Sequence, residues 1–214
     1  MNFDYNEEQQ LLADSVRRFI QKDYEFEARR KIVASAEGYS GSVWGTLAEM
    51  GLTGIPFSPD YGGFGGGAID LLSVMEAFGE GLVVEPFLAT VGLGGQLVAR
   101  AGSDAQKKAI LPAVVEGKLK MAFAFSEKGA RYDLAHVNTT AKKSGSGWTL
   151  DGEKVVVLGA PAAAKIVVSA KTPAGLSLFL VDAKAAKLKP YRTLDEMRAA
   201  DVVLQNTPGE LLGA

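Results

Sequence analysis

The chain has 214 residues, of which 47% are hydrophobic and 22% charged, and its formal net charge is −2. That length allows one or two domains, and the composition excludes a disordered chain. With no cysteine and one histidine, His136, disulfide scaffolds, thiol nucleophiles, Cys-ligated zinc and His-rich metal sites are excluded.

The first half reads as helices. The opening MNFDYNEEQQ is acidic and polar, unlike a signal peptide. Asn6 and Gln9 have the spacing of a capping box. Leu12, Val16, Phe19 and Ile20 then fall on one helical face. A charged helix is expected over residues 25–35, broken by Gly38–Gly41. Ser42 is expected to cap a helix ending at Glu49, closed by Gly51. Residues 56–67, PFSPDYGGFGGG, form a loop that no helix survives. Helical spacing resumes over residues 69–78 and ends at Gly79–Gly81. Pro86 opens a helix over residues 87–101. Residues 86–99 are the longest uncharged stretch, shorter than the roughly 18–20 residues a membrane span needs. Ser103 and Gln106 form a second capping box for a helix reaching Val115, which Pro112 should kink or divide.

After Gly117 the period shortens to 2. Strands are expected over residues 119–125, 135–141, 148–150, 154–158, 166–170, 176–181 and 202–204. Gly145–Gly147 reads as a hairpin tip, and Leu150-Asp-Gly-Glu153 as a second turn. The pattern implies an α+β chain: an all-α domain over residues 1–117, then an antiparallel barrel or sandwich over residues 118–214. Charge divides at the same place. The first 117 residues carry 9 basic and 16 acidic side chains, and the remainder 14 and 9. An anionic ligand would favour the second part, while a net charge near zero argues against general nucleic-acid binding. A cytoplasmic protein with no membrane and no nucleic-acid partner is expected.

Catalytic motifs are sparse. Gly63-Phe-Gly-Gly-Gly-Ala68 matches the dinucleotide fingerprint in letters but lacks the preceding strand and the βαβ frame. His136, inside an expected strand, has no serine or carboxylate partner in a triad pattern. Asp195/Glu196 and Glu7/Glu8 read as solvated charge. The distinctive segment is residues 122–133, AFAFSEKGARYD, an apolar strand running into a Ser-Glu pair and a glycine loop. Hydroxyls and amides at a strand end can donate to a polar ring or a phosphate.

These segments together resemble the acyl-CoA dehydrogenase family over nearly the whole chain. The opening EEQQLLADSVRRFI is similar to its first helix, and Leu52-Thr-Gly-Ile-Pro56 with Asp60-Tyr-Gly-Gly63 to its glycine loop. Residues 122–133 are similar to its flavin-contacting strand, and Gly147-Trp-Thr-Leu-Asp-Gly-Glu-Lys154 to the hairpin before the second flavin strand. The forms AFAFSEKGARYD and KVVVLGAP resemble the small-subunit branch of the pimeloyl-CoA dehydrogenases.

The resemblance implies an N-terminal helical domain, a middle β-domain and a C-terminal four-helix domain. It implies FAD as hydride acceptor from an acyl-CoA substrate, and an electron-accepting flavoprotein partner. It assigns cofactor contacts to Phe123, Ala124, Phe125, Ser126, Val156, Val157 and Leu158, and a substrate contact to Tyr132. Ser126 keeps the hydroxyl expected beside the flavin. Tyr132 replaces a small serine, Val156 a tryptophan and Leu158 a Thr or Ser. An apolar group in place of a hydrogen-bonding one weakens such a site by about 1 kcal/mol or more, so the flavin site is expected to be weakened or lost. The sequence ends at Leu211-Leu-Gly-Ala214, where the resemblance places the end of the β-domain. No catalytic residue is assigned, because the family's base belongs to the C-terminal helices, expected to be absent here.

Three readings follow. One is a truncated FAD enzyme, inactive alone. The second is a non-catalytic subunit pairing with another dehydrogenase chain, and the third a β-domain binding module. Apolar surface left without its usual cover should drive homo- or hetero-oligomers.

Overall fold

The computed structural model describes residues 4–145 and 147–213. Helices come first: α1 (Glu7–Asp23), α2 (Phe26–Ala34), α3 (Gly41–Glu49), α4 (Ala68–Glu80), α5 (Gln96–Ala101) and α6 (Asp104–Val115). Strands follow: β1 (Met121–Ala124), β2 (Thr140–Ser144), β3 (Gly147–Leu158), β4 (Lys165–Thr172), β5 (Gly175–Asp182), β6 (Lys187–Arg192) and β7 (Arg198–Leu211). The order of helices before strands is the one expected from the sequence.

Both capping boxes form as expected: Asn6 with Gln9 opens α1, and Ser103 with Gln106 opens α6. The cap of α3 is Ser40, not Ser42. The Ser40 hydroxyl accepts from Val43 N at 3.3 Å, and the Ser42 hydroxyl is spent on Ser40 at 2.9 Å. Helix α4 continues through Gly79 to Glu80. Pro112 does not divide α6, which runs on to Val115; so close to the end, its missing N–H removes only one intrahelical bond. Residues 87–101 are not one α-helix. Leu88–Gly95 winds with wider π-helical turns before α5 begins. This segment lies on β1, where the Thr90 hydroxyl accepts from Met121 N and donates to Met121 O, at 3.2 and 3.3 Å.

The strands form a ring. β4 pairs with β5, β5 with β7, β7 with β3, β3 with β2, and β2 returns to β4 through the pair Thr140↔Lys171. β1 lies along the start of β4, and β6 along the start of β7. The β1–β4 and β2–β4 pairs are parallel, an addition to the expected antiparallel pattern. β3 is one strand where two were expected. Asp151-Gly152 is an irregularity in its pairing with β7 rather than a turn. Gly145 and Gly147 do flank the β2–β3 connection; Ser146 lies outside the described residues. Residues 135–139 are not strand, so β2 begins later than expected, while β6 was not anticipated.

Alternation along β4 divides the core. Val167 packs with the helices beside Leu52, Phe87, Val91 and Met121. Ile166 and Val168 point the other way, among Leu150, Val157, Phe179, Val202 and Leu204. Polar ties join helices to strands. Buried Arg29 of α2 donates to Leu82 O, to the Glu196 carboxylate and to Asp195 O, at 2.7, 2.9 and 3.1 Å. Arg198 of β7 donates to Val33 O and Ser35 O at the end of α2. Gln106 of α6 donates to the Glu210 carboxylate and to Leu211 O.

Candidate functional site

Phe123 and Ala124 end β1, and Phe125 and Ser126 carry the chain out of it. Ala124 is buried, while Phe123, Phe125 and Ser126 are half-buried. The rings of Phe123 and Phe125 lie 5.0 Å apart. Ser126 O accepts from Val155 N at 2.9 Å, which draws the exit of β1 against the end of β3. The structure therefore brings residues 125–126 and 155–158 together.

At this junction β3 bulges. Its register against β7 shifts between Lys154 and Val157, and Val156 takes φ +52°. A β-branched residue rarely occupies the left-handed region. The bulge turns the Val156 side chain outward, 51% exposed, between buried Lys154 and Val157. Val156 N donates to the Tyr191 hydroxyl at 3.0 Å and to Asp201 Oδ1 at 3.3 Å. The Tyr191 hydroxyl in turn donates to Asp201 Oδ1 at 3.0 Å. Leu158, half-buried, pairs with Ala199.

Beneath the junction lies a buried ion pair. Lys154 Nζ donates to Glu127 Oε1 at 2.8 Å, to Ser169 Oγ at 2.9 Å and, more weakly, to Phe125 O at 3.4 Å. Glu127 also accepts from Thr139 N and Oγ1, and from Asn138 N. Burial favours the neutral acid at Glu127, but the donors from Lys154, Thr139 and Asn138 outweigh it and hold the carboxyl down to about 2. Burial lowers Lys154, and its one anionic partner, Glu127, only partly restores it. This network fixes the loop after β1 to β3 from below.

The resulting surface offers the Ser126 hydroxyl, which has no hydrogen-bond partner among the described residues, and the apolar side chains of Val156 and Leu158. One free donor beside exposed aliphatic surface fits a flat, largely apolar ring with a polar edge, so the residues fit a flavin. Leu158 adds no donor. The nearby carboxylates of Glu127 and Asp201 are both engaged, so neither stands ready as a base. Tyr132, expected at the substrate mouth, is fully exposed on the loop between β1 and β2. His136 is in that loop rather than in a strand, exposed and 3.1 Å from the Asn138 amide. Residues 63–68, the fingerprint match, run from a loop into α4 with no strand before them. Among the described residues no group of three or more His, Asp or Glu side chains is placed to hold a metal ion, and no helix is long and apolar enough to cross a membrane.

The sequence reading missed Glu127, Lys154, Tyr191 and Asp201. The signals were slight: a lysine before an apolar run at Val155, and a Ser-Glu pair read as an exit loop.

The sequence profile of the acyl-CoA dehydrogenase N-terminal domain matches residues 6–118, and that of the middle domain residues 122–207. The chain belongs to the acyl-CoA dehydrogenase family. Acyl-CoA dehydrogenase FadE12 of Mycobacterium tuberculosis is 30% identical over 195 residues, covering 88% of this chain and 46% of FadE12. A variant of the Tcur3481-Tcur3483 steroid ACAD is 30% identical, with a TM-score of 0.90 over 97% of this chain and 57% of that one. The ChsE4-ChsE5 complex from Mycobacterium tuberculosis, 23% identical, shares the fold over the whole chain and 59% of its own, with a TM-score of 0.90. The FAD complex of PigA, 24% identical with a TM-score of 0.88, and a glutaryl-CoA dehydrogenase from Mycobacterium smegmatis in complex with FADH2, 20% identical with a TM-score of 0.87, share the fold. The chain spans about half the length of the curated acyl-CoA dehydrogenases it matches.

Proposed function

We propose that this chain is the helical and β part of an FAD-dependent acyl-CoA dehydrogenase, divided into domains at residues 1–117 and 118–214. In this reading the flavin is held on the surface of residues 123–126 and 156–158. The observation that carries it is the unspent Ser126 hydroxyl beside outward-facing Val156, on two segments tied by one backbone hydrogen bond. Bound FAD would supply the hydride acceptor for α,β-dehydrogenation of an acyl-CoA thioester. Ser126 would donate to the ring's polar edge, and Val156 and Leu158 would pack on its apolar part. Tyr132 would stand where the substrate enters, and an electron-accepting flavoprotein would receive the electrons. Because the resemblance places the base in C-terminal helices and assigns none to these residues, the 214 residues alone are expected to show no turnover with any acyl-CoA.

A second reading, a non-catalytic subunit paired with another acyl-CoA dehydrogenase chain, is favoured by Leu158, which offers no donor where the family resemblance expects a Thr or Ser. The visible spectrum of the protein after FAD addition and removal of excess separates the two. Retained absorption near about 450 nm, the flavin signature, supports the cofactor site. A folded, colourless protein moves the weight to the subunit reading, and co-purification with a second dehydrogenase chain then tests that.

A further inference from the structure

We propose that Tyr191 and Asp201 are positioning residues that hold the Val156 bulge in its outward-facing form and thereby set how tightly the chain grips its flavin. The proposal rests on the cofactor reading above. Val156 is β-branched, sits at φ +52° and is half-exposed. Nothing intrinsic to valine favours that conformation, so the surroundings must impose it. Two side chains do so from neighbouring strands, Tyr191 on β6 and Asp201 on β7. They close a triangle in which Val156 N donates to the Tyr191 hydroxyl and to Asp201 Oδ1, and the hydroxyl donates to the same oxygen. Asp201 is the acceptor common to both donors. Without it the amide of Val156 loses its charged acceptor, and the bulge has less to hold it against relaxation into regular pairing with β7. That relaxation would shift the strand's period by one residue and change which of Val156 and Val157 faces out. Tyr191 also lines a cleft of about 530 Å³ with Tyr39, Pro161 and Arg198, so one side of the brace faces open space rather than the core.

The test uses the full 214-residue chain, with Asp201→Ala and Asp201→Asn variants and two readouts. The first is backbone amide exchange at Val156, with the Val155 amide, bonded to Ser126 O, as internal reference. The second is the FAD dissociation constant from visible absorption. Asp201→Asn keeps an acceptor for both donors, and Asp201→Ala removes it. The expected result is exchange at Val156 about tenfold faster in Asp201→Ala with Val155 unchanged, and FAD binding about tenfold weaker. Asp201→Asn should restore both towards the wild type. FAD binding in Asp201→Ala equal to wild type overturns the proposal while leaving the cofactor reading intact. A wild-type chain that takes up no FAD overturns the cofactor reading and this proposal with it. Loss of the Val155 amide's protection together with that of Val156 means general unfolding of β3, and also overturns the specific role.

Discussion

Lys154→Met leaves the Glu127 carboxylate buried without its cation. Removing one partner of a buried pair costs about 3–5 kcal/mol, so urea unfolding of Lys154→Met should show a loss of that size. The same pair fixes an acid dependence. The Glu127 pKa lies below its unfolded value, so the native state resists protonation. Its contribution is complete above the unfolded carboxylate value of about 4.3 and is lost as pH falls toward about 2. Between pH 5 and pH 2 the urea midpoint of the wild type should therefore fall more steeply than that of Glu127→Gln. Glu85 has the opposite sign. It is 2% exposed and accepts from Ser40 N through Oε1, while Oε2 has no hydrogen bond. Burial raises its pKa, outweighing the donors around it. Its charged form therefore costs stability as pH rises above the ordinary carboxylate range. Glu85→Gln, which keeps an acceptor for Ser40, should raise the melting temperature at pH 7 and change it little at pH 4. None of this was legible in the sequence, because a lysine or glutamate buried by a distant partner is spelled like one in water. The place of Ser126 at the exit of an apolar strand was legible, since that needed no tertiary information, whereas its role beside a flavin came only from the family resemblance.

At the scale of elements, two glycines make opposite predictions. Gly45 lies inside α3 with nothing within 4 Å of an added Cβ, so Gly45→Ala should stabilise the protein by up to about 1 kcal/mol through helix propensity. Gly94 lies where the π-helical segment meets β1, and a Cβ there would sit 2.7 Å from the Met121 Cβ. Gly94→Val should cost about 1–3 kcal/mol by overpacking, read from the denaturation midpoint. The helices were legible because their caps and apolar faces are local signals. The strands were less so, for reasons that particular residues show. Asp151-Gly152 spells a turn, yet the flanking residues pair with β7 on both sides, and the glycine is absorbed as an irregularity. β6 reads as a charged loop because Lys187, Lys189 and Pro190 occupy it; among the described residues it pairs with β7 alone, and such an edge tolerates charge and proline. β7 runs to Leu211 past Pro208 and Gly209, residues that would ordinarily end a strand.

At the scale of the whole molecule, one of the two apolar clusters is shared by the helices and the ring: Trp44 and Phe87 belong to it together with Val167 and Leu180. Trp44 lies in α3 and Trp148 in β3, so each part carries its own reporter. Single-tryptophan variants should each give a fluorescence midpoint that coincides with that variant's circular dichroism midpoint, as a single cooperative transition requires. Separate midpoints would mean that the arginine ties and the shared core do not couple the two parts. The family and the α-then-β order were legible from short segments in the right sequence, whereas the brace on Val156 was not, since it joins residues from three strands. The ring has a consequence in time. It closes through one rung, Thr140↔Lys171, beside the bond from Lys171 N to Thr139 O. A circuit cannot be completed until both of its arms exist, so this seam should form late in refolding, on the millisecond-to-second scale of non-local topologies, and hydrogen-exchange labelling of the Lys171 amide during refolding checks it. Held by one pair where β4–β5 has eight, it should also exchange its amide faster than that pairing in the native state.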